Sequence, residues 1–307
     1  MNTPVLLIGF NRPKHLEAVI SALENIAIKN LYVFCDGPRN KNDTNLVDQV
    51  RKVVNSFENK MSIVKFYSEE NYGCKYGVSG AISWFFKYEE AGIILEDDCI
   101  PSKDFIFFSS EMLDLYKDSK EIMAINGSNF QFGNTYGDGS YYLSKCFHAW
   151  GWATWKRAWK KNDIDLQTWK ESLVDNYLGQ QLQFRSEVKY WKKIFNLTHQ
   201  NKIDTWDFSW QYTIWKEKGF VITPNMNLVT NIGHDLNATH TKDCDSVFAN
   251  IAHQNLGEIE HPSKLVHFSK ADQRIFDENY GGKYIRFPKS LIYIPMRIYK
   301  FIKRKLF

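Results

Sequence analysis

Residues 92 to 101 read Gly-Ile-Ile-Leu-Glu-Asp-Asp-Cys-Ile-Pro. Ile93, Ile94 and Leu95 form a short apolar run, the pattern of a strand buried on both faces. Glu96, Asp97 and Asp98 follow at once. Three consecutive carboxylates at the end of a buried strand repel one another. A divalent cation that prefers oxygen ligands, Mg²⁺ or Mn²⁺, relieves that repulsion. Such a cation suits a diphosphate, whose charge it neutralises. The plainer alternative is an acidic turn capping the helix that opens near Asp104. An open α/β sheet binds ligands at the carboxyl ends of its strands, which favours the cation and a nucleotide.

The flanking sequence supports such a sheet. Pro4 to Phe10, Leu31 to Cys35 and Ser62 to Tyr67 read as strands. Lys14 to Ala27, Asn45 to Phe57 and Val78 to Glu89 have helical spacing, and Asn71 to Gly77 reads as a loop. Strand and helix alternating at this spacing imply βαβ units and a parallel sheet. A helix over Asp104 to Leu115 and a strand over Ile122 to Asn126 follow. Gly127 to Gly139 is rich in Gly and Asn and is expected to be a mobile loop. His148 to Trp159 reads HAWGWATWKRAW, and a helical, Trp-rich stretch follows to about residue 200. Val221 to Pro224 reads as a last short strand, and Asn231 to Cys244 is polar with histidines. The expectation is one domain over residues 1–282. It has a nucleotide-binding half (1–126), an acceptor half (127–282) and a basic tail (283–307).

Composition narrows the class. Five cysteines lie apart without a C-x-x-C pair, which points to a reducing compartment rather than a zinc site or disulfide framework. No apolar run reaches the length of a membrane span, and with a strand opening at Pro4 no leader peptide is expected. The net charge is +4, but residues 283 to 307 hold eight of the 39 basic residues and no acid. The remainder of the chain carries 31 basic against 35 acidic residues, so no nucleic-acid partner is expected.

Other residues should share the crevice with the carboxylates. Arg12 follows the first strand and Asp36 the second. An Arg there can pair with a base or phosphate, and an Asp can accept from a base imide or a ribose hydroxyl. As a turn residue, each has a structural reading too. Asp207 sits in Trp-Asp-Phe-Ser-Trp (206–210), where apolar surroundings would raise its pKa toward that of a general base. It also suits the start of a helix over Phe208 to Lys218. His234 and His240 could reach a metal or diphosphate, and Lys75 and Arg157 are further candidates for phosphate contacts.

PVLLIGFNRP, FCDG and ILEDDCIPSKDFIFF, in that order, resemble the nucleotide half of a GT-A glycosyltransferase. The pattern is similar to that of the N-acetylglucosaminyltransferase I family, through Arg12, Glu96 to Asp98 with Pro101 to Phe105, Gly151-Trp152, and Trp206 to Trp210. HAWGWATWKRAW resembles bacterial sugar transferases of surface-polysaccharide clusters. The resemblance covers about residues 3 to 245. It implies an α/β, Rossmann-like, mixed but mostly parallel sheet flanked by helices, with a helical Trp-rich acceptor side. Asp98 would ligate Mn²⁺ or Mg²⁺, with His240 as a further ligand. Asp97 and Glu96 would take ribose or donor-sugar hydroxyls, and Arg12 and Asp36 the base. Lys75 would contact the nucleotide sugar, while Trp152, Trp206 and His234 would line the sugar pocket. Asp207 would be the base of an inverting transfer. The family's double acid after Trp is here Asp207-Phe208, and the spacing around His240 departs from the pattern.

The expected function is metal-dependent transfer of a sugar, from a UDP-sugar or another nucleotide sugar, to a glycan or lipid-linked acceptor. A retaining transferase, a sugar-phosphate nucleotidyltransferase and a non-catalytic carbohydrate binder are the alternatives. GFNRPKHLE has one glycine, unlike the Gly-rich signature of the nucleotidyltransferases, and a binder has no use for three carboxylates at a strand end. Residues 290 to 307 combine apolar residues at helical spacing with Arg297, Lys300, Lys303, Arg304 and Lys305. That pattern suits peripheral contact with the inner face of the cytoplasmic membrane.

Overall fold

Every residue of β1 (Val5–Gly9) is buried, as its unbroken apolar run requires. Successive side chains feed two different cores. Val5 and Leu7 pack with Leu16, Val19 and Leu23 on one face, while Leu6 and Ile8 pack with Val78, Ile82 and Phe85 on the other. The molecule is therefore layered, with helices on both sides of a central sheet. The computed structural model describes residues 2–170, 174–234, 248 and 251–286.

Strand and helix alternate as far as β4. After β1 come α1 (Pro13–Ile26), β2 (Leu31–Cys35), α2 (Lys41–Ser56), β3 (Ile63–Tyr67), α3 (Gly73–Phe85) and β4 (Ala91–Glu96). β5 (Cys99–Pro101), α4 (Lys103–Leu115) and β6 (Ile122–Asn126) follow. The second half supplies β7 (Tyr141–Ser144), β8 (Trp152–Trp155), α5 (Lys156–Trp159), α6 (Val174–Gln181), α7 (Arg185–His199) and α8 (Asp207–Lys216). It closes with β9 (Phe220–Pro224), β10 (Val229–Asn231), α9 (Ser269–Asn279) and α10 (Gly282–Ile285).

The eight-stranded sheet has the order β3-β2-β1-β4-β8-β6-β9-β7. β3, β2, β1 and β4 are mutually parallel. β8 runs antiparallel to both β4 and β6, and β7 runs antiparallel to β9. The α/β class with a mixed, mostly parallel sheet flanked by helices is as expected. β8, from the second half of the chain, lies between β4 and β6 of the first. Arg286, beyond residue 282, still reaches Asp277 and Glu187, so the described chain remains packed past the expected start of the tail.

Two expectations need correction, and one strand was not anticipated. HAWGWATWKRAW holds β8, whose four residues are all buried. Gly151 before it adopts φ +66, and a Cβ there would lie 2.7 Å from Val229, so the tight turn into the strand needs glycine. The Gly127–Gly139 loop is pinned rather than mobile. Asn129 Nδ2 donates to Pro224 O at 2.6 Å, and Asn225 Nδ2 donates to the carbonyls of Tyr136 and Gly139. Buried asparagines here do for the loop what a strand ladder would do. Last, α3 opens at Gly73 rather than Val78, because the Asp204 carboxylate accepts from the amides of Cys74 and Lys75.

Candidate active site

The carboxyl ends of β1, β2 and β4 face the same side, since Gly9 pairs with Cys35 and Ile8 with Glu96. They open onto a cleft of about 480 Å³ that is lined by Arg12, Asp36, Glu96, Asp97, Asp98, Trp206 and Asp207. Segments more than a hundred residues apart are thus brought to one crevice.

The three carboxylates have different partners. β4 ends at Glu96, whose Oε1 accepts from Trp206 Nε1 at 3.3 Å. Asp97 Oδ2 accepts from the Phe10 amide at 3.2 Å and ties the end of β4 to β1. Asp98 Oδ2 accepts from Arg12 Nη1 at 3.0 Å, and its Oδ1 accepts from Asn231 Nδ2 at 3.1 Å and from the Cys99 thiol at 3.3 Å. None of them caps α4. Ser102 does so, its hydroxyl accepting from the Phe105 amide. The turn therefore needs no acid for helix capping.

Burial, then the charges of Asp98, Asp97 and Asp207, push the Glu96 carboxyl up to about 8 against the Trp206 hydrogen bond. Burial and the neighbouring Asp98 likewise push Asp97 upward, opposed by Arg12 and the Phe10 amide. A carboxyl raised in the folded state favours folding most while it is protonated. That contribution is present below its unfolded value and is lost as pH rises through the folded one. Metal-free protein is therefore expected to melt progressively lower between pH 6 and 9. Glu96→Gln, which stays neutral, should melt about 3 °C above wild type at pH 9 and close to it at pH 5. Parallel melting curves for the two proteins in EDTA across that range would refute the account.

Asp36 lines the cleft with its carboxylate already engaged. It accepts from the amides of Gly37 and Tyr72 and from Asn71 Nδ2, so it fixes the loop beside the cleft. Burial raises its pKa, and these amides act against that. α8 starts at Asp207, whose Oδ1 accepts from the Thr205 hydroxyl and, at 2.9 Å, from the Phe208 amide. These bonds set the carboxylate's orientation at the cleft wall. Trp206 is 2 % exposed and stacks on Trp152 with ring centroids 5.4 Å apart.

Several expected residues are placed elsewhere. Lys75 does not line the cleft, because its Nζ donates to Asp165 and Asn201 at 2.8 and 2.7 Å. Trp152 is fully buried beneath Trp206 and has no surface for a sugar. Arg157 donates to the carbonyls of Lys117, Ile122 and Tyr116, holding the end of α4. His234 is buried behind the cleft, edge-on to Trp150 at 5.2 Å. Among the described residues neither of its ring nitrogens has a partner. His240 and residues 290–307 lie outside the described residues.

Sequence reasoning missed other parts of the cleft. Arg39 pairs with Asp43 through both Nε and Nη2, and its guanidinium lies 5.0 Å from the centre of the Phe10 ring at the cleft wall. Its place just after Asp36-Gly37-Pro38 was the available signal. Asp204, Asn231 and Trp150 also line the cleft; Trp150 and Asn231 fall in segments that the sequence marks without singling out those residues, and nothing local marks Asp204.

A divalent cation suits the donor set. Hard oxygens predominate, two carboxyls are pushed upward by burial and then by their acidic neighbours, and a buried imidazole with no partner among the described residues adjoins Gly233, which packs against Asp98. Among the described residues no group of three or more His, Cys, Asp or Glu is placed to hold a metal ion by itself. Mg²⁺-type sites typically use one or two carboxylates with substrate phosphates and water.

No protein-family model matches the chain, and no curated protein matches it. Solved structures similar to parts of it include the glycosyltransferase GlyE of Streptococcus pneumoniae TIGR4, at 13 % identity and TM-score 0.35. That match covers 72 % of this chain and 45 % of GlyE. A UDP-glucose pyrophosphorylase matches at 9 % identity and TM-score 0.34, covering 73 % of this chain and 90 % of the other. A 4-diphosphocytidyl-2C-methyl-D-erythritol synthase from Anaerococcus prevotii DSM 20548 matches at 8 % and TM-score 0.36, covering 72 % and 87 %. Likenesses of this size carry no chemistry across to the chain.

Proposed function

We propose that the protein is a glycosyltransferase that moves a sugar from a nucleotide sugar, with UDP as the nucleotide, to a hydroxyl of a glycan or lipid-linked acceptor. The observation that carries this reading is the cleft itself. It gathers the carboxylates at the end of β4, a cation at the end of β1 and the oriented Asp207. That arrangement serves a substrate with a charged diphosphate and a neutral nucleophile. Arg12 contacts the nucleotide, and Asp36 holds the loop against which it rests. Glu96 and Asp97 accept from donor hydroxyls. Asp207 takes the proton of the acceptor hydroxyl as its oxygen attacks the anomeric carbon, and a single displacement inverts that carbon. Asp98, with His234 nearby, would hold Mn²⁺ or Mg²⁺, which supplies charge stabilisation for the departing diphosphate. The reading agrees with the GT-A resemblance of the sequence.

The direct test is UDP release from a panel of UDP-sugars with and without Mn²⁺ and acceptor glycans. Metal-dependent release stimulated by an acceptor supports the transferase. Pyrophosphate release from UTP and a hexose 1-phosphate would make the protein a nucleotidyltransferase. Sugar binding with neither activity would make it a binder.

We extend the proposal to the basic segment 290–307, which would hold the enzyme at an anionic membrane carrying lipid-linked acceptors. Each basic residue near such a surface adds about 1 kcal/mol. Among the described residues no helix is long and apolar enough to cross a membrane. The full chain should therefore sediment with anionic liposomes at low salt, and deleting residues 290–307 should stop this without weakening UDP binding. Full-length protein left in the supernatant would remove the membrane from the proposal.

A further inference from the structure

Asp98 already faces a cation of the chain's own. Arg12 Nη1 lies 3.0 Å from Asp98 Oδ2, and the two side chains are only 14 % and 18 % exposed. Oδ1 is held separately by Asn231 and Cys99. Gly233 closes the remaining side, since a Cβ there would stand 2.0 Å from Oδ2. Arg12 is placed by its sequence context. Pro13 takes the first position of α1, where no amide hydrogen is needed, and leaves Arg12 as the N-cap residue at the cleft edge.

We infer that Arg12 is a resident counter-ion that holds Asp98 until nucleotide and divalent cation arrive together, and then passes to the donor's diphosphate. The inference rests on Asp98 being the cation's anchor, as proposed above. A guanidinium and a divalent cation on one carboxylate oxygen repel each other, and a pair this buried is little screened by salt. Among the described residues Asp98 is the one hydrogen-bonded partner of the Arg12 side chain, so the cation alone must displace Arg12 from that bond without supplying a replacement anion. A diphosphate in the same cleft gives the guanidinium an anionic partner that matches its planar fork. Cation and nucleotide then each strengthen the other's binding, by the same factor.

The experiment is titration of Mn²⁺ into the full chain, followed by electron paramagnetic resonance with and without UDP. It is run at low salt and pH 8.5 under nitrogen, so that protons compete little for the carboxylates. Wild type is expected to bind Mn²⁺ at least tenfold more tightly with UDP present. Arg12→Met keeps the apolar stem and removes the charge. It should bind Mn²⁺ alone at least tenfold more tightly than wild type and lose most of the coupling to UDP. Arg12→Lys keeps the charge and should keep weak binding of Mn²⁺ alone, which separates charge from packing. A coupling factor near one in wild type overturns the inference without recourse to a variant. So does an Arg12→Met protein that is folded by circular dichroism and has wild-type affinity for Mn²⁺ alone. Absence of Mn²⁺ binding in every protein, UDP present or not, would overturn the anchoring role of Asp98 as well. Binding with UDP that is indifferent to Arg12 would sink only the counter-ion role.

Discussion

Asp207→Asn is expected to leave nucleotide binding unchanged and to lower sugar transfer by roughly 10² to 10⁴-fold, the usual contribution of a positioned general base. Asn matches Asp in size. Its carbonyl oxygen can still accept from the Thr205 hydroxyl and the Phe208 amide that hold Oδ1 in place. The start of α8 should therefore survive, and only the capacity to take a proton is lost. Calorimetry with UDP serves as the control, because Asp207 lies on the acceptor side of the proposed reaction. Transfer within a few-fold of wild type would point to a different base. A product with the donor's anomeric configuration, read by nuclear magnetic resonance, would replace inversion with a retaining route.

The parts of this site that could be read in the sequence are those that are local along the chain. β1, β2 and β4 are buried central strands, and burial on both faces produces the continuous apolar runs that mark them. The acidic triplet is contiguous, and the turn after a parallel strand is a place where ligands bind. β8 was not legible. Its four residues belong in the sheet because β4 and β6 lie on either side, and pairings that distant leave no local periodicity. The tryptophans misled for a related reason. A dense run of aromatic residues suits a sugar surface or a core equally well, and only the tertiary packing shows Trp152, Trp206 and Trp210 to be a buried cluster under Glu96. That cluster has a role at the site all the same, because the Trp206 indole holds Glu96.

Lys75 illustrates the converse. A lysine in the loop between β3 and the following helix reads as a phosphate contact, but Asp165 and Asn201 arrive from about a hundred residues away to take its ammonium. Asp204 and Asn231 likewise act at the cleft through partners remote in sequence, on α3 and on Asp98. Each is a polar residue on an undistinguished loop or short strand. Their roles become visible only when the sheet brings the segments together.

Asp98→Ala is expected to abolish the metal-dependent part of UDP affinity, a loss of at least about 10²-fold, since a cation at a diphosphate contributes several kcal/mol and each 1.4 kcal/mol is a factor of ten. Among the described residues the variant removes the one carboxylate ion-paired to Arg12, leaving a mostly buried guanidinium without that partner. A control for the fold is therefore needed, and Gly233→Ala supplies one from the opposite direction. It keeps all three carboxylates and Arg12, but its Cβ would stand 2.0 Å from Asp98 Oδ2, so the carboxylate must turn away. Both variants should lose Mn²⁺-dependent UDP binding in calorimetry while keeping wild-type circular dichroism. Both variants also break the pair between Arg12 and that oxygen, so Arg12→Met is the comparison that separates the two: agreement between a deletion and a displacement, with Arg12→Met still binding Mn²⁺, would tie the loss to the Asp98 carboxylate. If both variants bind UDP in Mn²⁺ as tightly as wild type, Asp98 is not the anchor. The cation, if the reaction uses one, must then be held by Glu96 or Asp97.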